Sequence, residues 1–138
     1  MPQRDFYHET VKRVLIKDGW TITDDPFTLE YKGLRVYADF GAEKIVVAER
    51  GERKIIIEVK TFDAPSLVTE LEKMIGQHSV YRALLKRVDP ERELFVAVAL
   101  DVYQDFFQRP AIQEILRDEQ VRILVFNPNT EEVAQWIN

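Results

Sequence analysis

The sequence predicts a single α/β domain over residues 1–138, built on a central mixed β-sheet flanked by helices. Three observations carry this. The runs Ile55-Ile56-Ile57, Leu94 to Leu100 and Val121 to Phe126 are apolar on both faces, as strands in the middle of a sheet are. A long helical pattern separates the first two runs and shorter ones separate the second from the third, which makes two strand–helix–strand crossovers. Ahead of them lies a series of short strands joined by turns. At 138 residues the chain supports one hydrophobic core and leaves no room for a second.

The elements follow in order. Asp5 is a candidate N-cap, and Tyr7, Val11, Val14, Leu15 and Asp18 recur at helical spacing until Gly19 ends the helix. Trp20 to Thr23 alternates like a strand, and Asp24-Asp25-Pro26 marks a turn. Phe27 to Tyr31 and Leu34 to Phe40 are strands about the turn Lys32-Gly33, and Ile45 to Glu49 and Lys54 to Lys60 are strands about a hairpin loop, Arg50-Gly51-Glu52. From Ser66 to Arg87 the apolar residues Leu67, Leu71, Met74, Ile75, Tyr81, Leu84 and Leu85 form a helical stripe, stopped by Asp89-Pro90. After the strand Leu94 to Leu100, helices over Asp101 to Gln108 and Ala111 to Glu119 are separated at Pro110, because the residue before a proline resists helical geometry. Val121 to Phe126 is a buried strand, and Glu131 to Asn138 is a short strand or a short helix.

Composition narrows the function. There are 19 Lys plus Arg against 24 Asp plus Glu, a net charge of −5, so a bulk basic surface is absent and any role on nucleic acid needs a local basic face or a metal. Cysteine is missing, which excludes disulfides, thiolate zinc sites and a cysteine nucleophile. No signal-peptide core follows Met1 to Asp5 and no run approaches the roughly 18 apolar residues of a membrane helix, so a soluble cytoplasmic protein is expected.

One constellation carries chemistry. Glu58 and Lys60 stand two apart in an apolar strand, so both project to one face. An unpaired buried charge is costly, so they form either a structural ion pair at the sheet edge or part of a cleft. Asp39, in the preceding segment Val36-Tyr37-Ala38-Asp39, either caps the turn at Gly41 or converges with Glu58 if the strands pair. Two carboxylates so placed would suit a hard divalent cation such as Mg²⁺ or Mn²⁺, and the lysine could then orient or activate a water or stabilise charge on a phosphate.

Asp39, then Glu58-Val59-Lys60 in a hydrophobic strand followed by a helix, resembles the PD-(D/E)XK nuclease superfamily, which holds restriction endonucleases and archaeal Holliday-junction resolvases. Glu9, in the first helix, is similar to the helix-borne glutamate of the resolvases, and Gln77 with Tyr81 to the Q-x-x-x-Y pattern of the RecB-like branch. Over the whole chain, the runs Phe6-Tyr7-His8, Lys17 to Thr23, Asp39 to Glu43, Glu58 to Phe62, Gly76-Gln77-His78 with Tyr81-Arg82, and Val125 to Pro128 resemble the XisH family. That family is named for fdxN-element excision controlling factors of heterocyst-forming cyanobacteria, which act beside a site-specific recombinase and the companion factor XisI in programmed DNA excision.

The resemblance implies a restriction-endonuclease-like fold with an α-β-β-β-α-β core. It also implies a metal-dependent site for phosphodiester hydrolysis: Asp39, Glu58 and Lys60 catalytic, Glu9, Asp39 and Glu58 on Mg²⁺ or Mn²⁺, and Gln77 and Tyr81 supporting that shell or touching the substrate. DNA, an XisI-type companion, the recombinase and a second copy of the chain are the implied partners. Two departures qualify the site: Ala38 stands where the motif has proline, and Glu43 or Glu49, in the chain between Asp39 and Glu58, could replace Asp39 or be solvated strand residues. A non-catalytic adaptor that binds the companion factor or the recombinase is the alternative, which the net charge favours.

The remaining candidates have ordinary readings beside functional ones. His8 and His78 are either packed residues or site residues. Lys12, Arg13 and Lys17, and Lys73, Arg82, Lys86 and Arg87, either face phosphates or form solvated helix faces. Tyr103, Phe106 and Phe107 are a base-stacking platform or, by spacing, core.

Overall fold

The computed structural model describes residues 6–46 and 51–138; the expected N-cap Asp5, and Glu49 and Arg50, lie outside them. Helix α1 (His8–Lys17) ends where Gly19, at φ 95°, takes up the left-handed conformation. The Gly19 and Trp20 N–H groups then reach back to the carbonyls of Ile16 and Leu15, which satisfies the last turn. Strands β1 (Thr21–Asp24), β2 (Phe27–Tyr31), β3 (Leu34–Ala38), β4 (Phe40–Val46) and β5 (Gly51–Val59) follow. Helix α2 (Leu67–Val88) is capped by Ser66, whose hydroxyl accepts from the Thr69 N–H. Then come β6 (Glu93–Ala99), α3 (Leu100–Val102) running into a π-helical turn (Tyr103–Phe107), α4 (Pro110–Asp118), β7 (Arg122–Asn127) and β8 (Glu132–Ile137).

Six strands form one mixed sheet in the order β1-β4-β5-β6-β7-β8, and β2 and β3 form a separate hairpin. The two crossovers make β5, β6 and β7 parallel neighbours, while β4 and β8 pair antiparallel at either side. The chain enters the main sheet as β1, β4 and β5, with the hairpin between β1 and β4, and returns after α2 as β6, β7 and β8, which makes a central mixed sheet flanked by helices. Alternation along β5 splits the core. Ile55, Ile57 and Val59 pack with α1 and with Trp20, Phe40 and Phe95, whereas Ile56 packs with Tyr81, Leu84 and Leu85 of α2 and Leu29 of the hairpin.

Three local expectations change and one alternative is decided. The strand expected over Leu34 to Phe40 breaks at Asp39, whose N–H goes to the Glu58 carboxylate. β3 therefore pairs with β2, and Phe40 opens a new strand against β1 and β5. Gly41 sits inside that strand because the hairpin closes over it: a Cβ there would lie 2.7 Å from Cδ2 of Phe27. Gly51 and Glu52 belong to β5, paired with Val46 and Ile45. The helix expected over Asp101 to Gln108 is a short α-turn and then a wider π-helical turn, with Phe106 and Phe107 both buried. The C-terminal segment is a strand, held by Trp136 against Phe95 and Trp20.

Candidate functional site

β5 delivers Glu58 and Lys60 to its C-terminal end. Alternation places Glu58 on the α2 side, 7% exposed, in a narrow crevice lined with Lys60, Met74, Gln77, His78, Tyr81 and Val96. The Lys60 N–H donates to Ala97 O at 2.9 Å, prolonging the ladder with β6, and its Nζ stands 3.7 Å from Glu58 Oε2. A carboxylate and an ammonium thus share one crevice without either being stranded.

Asp39 joins them across β4. Phe40 is opposite Ile57 in the register, so Asp39 falls opposite Glu58. The two residues are locked side chain to backbone: the Asp39 N–H donates to Glu58 Oε1 at 3.0 Å, and the Val59 N–H donates to Asp39 Oδ2 at 2.8 Å. The convergence of Asp39 and Glu58 therefore comes from β4, the neighbour of β5, and not from the strand that precedes Asp39.

A second layer reaches Asp39 from α1. His8, 3% exposed, places Nδ1 2.9 Å from Asp39 Oδ1 and Nε2 3.0 Å from Asp25 Oδ1, so both ring nitrogens face carboxylate oxygens. Lys12 Nζ completes the row at 2.6 Å from Asp25 Oδ2. Glu9 is exposed and 3.8 Å from Lys12. Among the described residues, the group whose metal-capable atoms all fall within 4.8 Å of one another is His8, Glu9 and Asp25, so Glu9 gathers with them rather than completing a trio with Asp39 and Glu58.

α2 closes the site from the other face. The Tyr81 hydroxyl donates to Tyr37 O at 2.7 Å and accepts from Gln77 Nε2 at 2.9 Å, one helical turn apart, which pins the hairpin beside Glu58. Burial, then the charge of Glu58, pushes the Tyr81 phenol up to about 12, with Asp39 adding and Gln77 opposing, so it stays a neutral donor. His78, buried in the same stripe, is pulled down to about 4 by burial and then by Arg82 and Arg122. Two residues past Lys60, Phe62 adopts φ 58°, a conformation a bulky side chain holds at a cost of about 1–3 kcal/mol. Its ring, 5.1 Å from that of Phe107, is 7% exposed, and this packing keeps the chain in place as it leaves the site.

The other candidates fall elsewhere. Glu43 lies opposite Lys54, four residues along the strands from the Asp39–Glu58 step, about 13 Å away, and its carboxylate meets Arg92 at 3.3 Å. Glu49 is outside the described residues. Phe106 and Phe107 are core, and Tyr103 packs against them, which removes the stacking platform. Asp25 meets His8 with no local signal for it: seventeen positions apart in the chain, it reads as a turn residue beside Pro26.

No helix among the described residues is long and apolar enough to cross a membrane. The XisH protein family model matches residues 1–134. The crystal structure of an XisH family protein from Nostoc punctiforme is similar at a TM-score of 0.88 and 38% identity, over 97% of this chain and 100% of that one. That of an fdxN element excision controlling factor protein from Anabaena variabilis is similar at 0.87 and 41%, over 98% and 100%. Among curated proteins none matches the chain.

Proposed function

This chain belongs to the XisH family, and from that premise we propose that it is a DNA-element excision factor with a metal-dependent phosphodiesterase site of the PD-(D/E)XK kind at Asp39, Glu58 and Lys60. The observation that carries the reading is the reciprocal lock of Asp39 and Glu58 across β4 and β5, with Lys60 Nζ 3.7 Å from Glu58 Oε2. Hard oxygen donors on adjacent strands beside one ammonium fit Mg²⁺ or Mn²⁺. Asp39 and Glu58 would hold the ion, which when bound supplies Lewis-acid activation of the phosphate. Lys60 orients the attacking water and stabilises charge on the phosphate oxygens. His8 positions Asp39, and Tyr81 with Gln77 pins the hairpin beside Glu58.

The test is Mn²⁺ calorimetry together with plasmid cleavage, on wild type, Glu58→Gln and Lys60→Ala. Glu58→Gln keeps an oxygen for the Asp39 N–H, so the fold is expected to survive, as circular dichroism would check. Wild type should take up Mn²⁺ and cut; Glu58→Gln should lose both, and Lys60→Ala the cutting. Equal uptake and equal cutting by all three would sink the proposal.

A second reading rests on one observation: both Asp39 oxygens already accept from protein donors, His8 and the Val59 N–H. A junction that holds itself without a cation suits an adaptor for an XisI-type companion or the recombinase, alone or as a homodimer. Capture of the companion by wild type, with no Mn²⁺ uptake, would decide for it.

A further inference from the structure

The crevice at Glu58 and Lys60 shares His78 and Leu94 with the lining of a larger cleft of about 530 Å³, under the C-terminal half of α2. Its charged side chains are all basic: Arg82 and Lys86 from α2, Arg92 ahead of β6, Arg117 from α4 and Arg122 from β7, with no Asp or Glu in the lining. In a chain of net charge −5 this is a marked segregation. Arg92 is neutralised by Asp89 and Glu43, and Arg82 donates to the carbonyl of Glu119 at the end of α4. Lys86, Arg117 and Arg122 are exposed and make no ion pair with any described residue.

Arg82 and Lys86 are one turn apart on one wall, about 6 Å along the helix axis, and Arg117 and Arg122 form the other. Cations on two walls of a groove suit an extended polyanion rather than a single ion, and guanidinium forks match phosphate oxygens. The β5-β6-β7 register places Ile123 two strands from Glu58, about 10 Å, so Arg122 and the crevice lie within one strand of nucleic acid. The titration of His78, which lines both crevice and cleft, is held low first by burial and then by Arg82 and Arg122.

We propose that this cleft is a metal-independent binding site for the phosphodiester backbone of DNA, with Arg82, Lys86, Arg117 and Arg122 as its phosphate contacts. It deepens, and rests on, the reading of the Asp39–Glu58–Lys60 site, to which it delivers the strand. No Phe, Tyr or Trp lines the cleft, so bases find no stacking platform and recognition is of the backbone, indifferent to sequence.

The test is fluorescence anisotropy of two labelled duplexes of unrelated sequence, in EDTA, across a salt series, with wild type, Arg117→Ala/Arg122→Ala and, as a control, Arg35→Ala, whose exposed guanidinium pairs with Glu30 elsewhere. Wild type should bind both duplexes alike, with a log–log salt slope of about −3 to −4 for four contacts. The double variant should lose about two units of slope and about tenfold in affinity per removed cation at 0.1 M salt, and Arg35→Ala nothing. Absence of wild-type binding, a double variant that binds like wild type, or displacement of the duplex by polyglutamate at equal charge would each overturn the proposal, the last in favour of an acidic protein partner. Mn²⁺ uptake is measured on the same proteins. Loss of DNA binding in the double variant where wild type takes up no Mn²⁺ would leave the cleft standing and remove the metal site.

Discussion

The structure treats the cations of α1 and three of the five that line the cleft, Lys86, Arg117 and Arg122, oppositely. Each α1 cation ends on an acceptor of the protein itself: Lys12 on Asp25, Arg13 on Glu131 and Lys17 on the carbonyl of Thr130. Among the described residues Lys86, Arg117 and Arg122 meet no such partner. The α1 side also carries the row Lys12–Asp25–His8–Asp39, half-buried and mutually satisfied. Charges paired within the fold specify where its pieces sit, whereas unpaired charges along an open groove await a counter-charge from outside. Basic residues in a helix become evidence for a ligand only once their internal partners are known.

The largest effect should come from breaking the paired side. His8→Ala removes a buried ring that bridges Asp25 and Asp39, and is expected to cost about 2–4 kcal/mol in urea denaturation. A loss below about 1 kcal/mol would mean that the row is dispensable to the fold.

Next in size is a pH effect from the cleft side. His78 in the folded chain titrates near 4 instead of 6.5, so between those values the unfolded chain binds the extra proton. Its contribution is therefore present in full above pH 6.5 and lost as pH falls toward 4, by about 2 kcal/mol after allowance for solvent screening. Wild type and His78→Gln should diverge across that window as their stabilities are followed down in pH. Parallel curves would show that neither burial nor the cleft's cations hold the titration of His78 down.

The smallest effect sharpens the contrast most. Lys86→Ala should change stability by less than about 0.5 kcal/mol, because no partner is lost, while Lys12→Ala should cost about 1 kcal/mol or more through its 2.6 Å contact with Asp25. Equal costs for the two would erase the distinction between paired and waiting cations.

Much of this was legible in the chain itself. Periodicity located α2 to within a residue or two at either end, because its apolar stripe and its Ser66 cap are local signals. The apolar runs marked β5, β6 and β7 as interior strands for the same reason. The break at Asp39 was not legible, since Val36 to Phe40 reads as one strand and the acceptor that ends it, Glu58, is nineteen residues away. Nor was the strand through Gly41, whose glycine reads as a turn until the Phe27 ring is seen to occupy the space of its side chain.

What the sequence determined alone were the properties that depend on neighbours in the chain: one α/β domain, two crossovers, a carboxylate and a lysine on one face of a buried strand, and an overall acidic balance. What the tertiary structure decided were the pairings. It brought Asp39 to Glu58 through β4, gathered His8 and Asp25 behind Asp39, drew Glu9 toward them, and set four cations from α2, α4 and β7 around one cleft. The reason is physical. Helix and strand periods are short-range, so pattern reveals them, but whether a charge is satisfied depends on side chains that approach only when the chain has closed on itself.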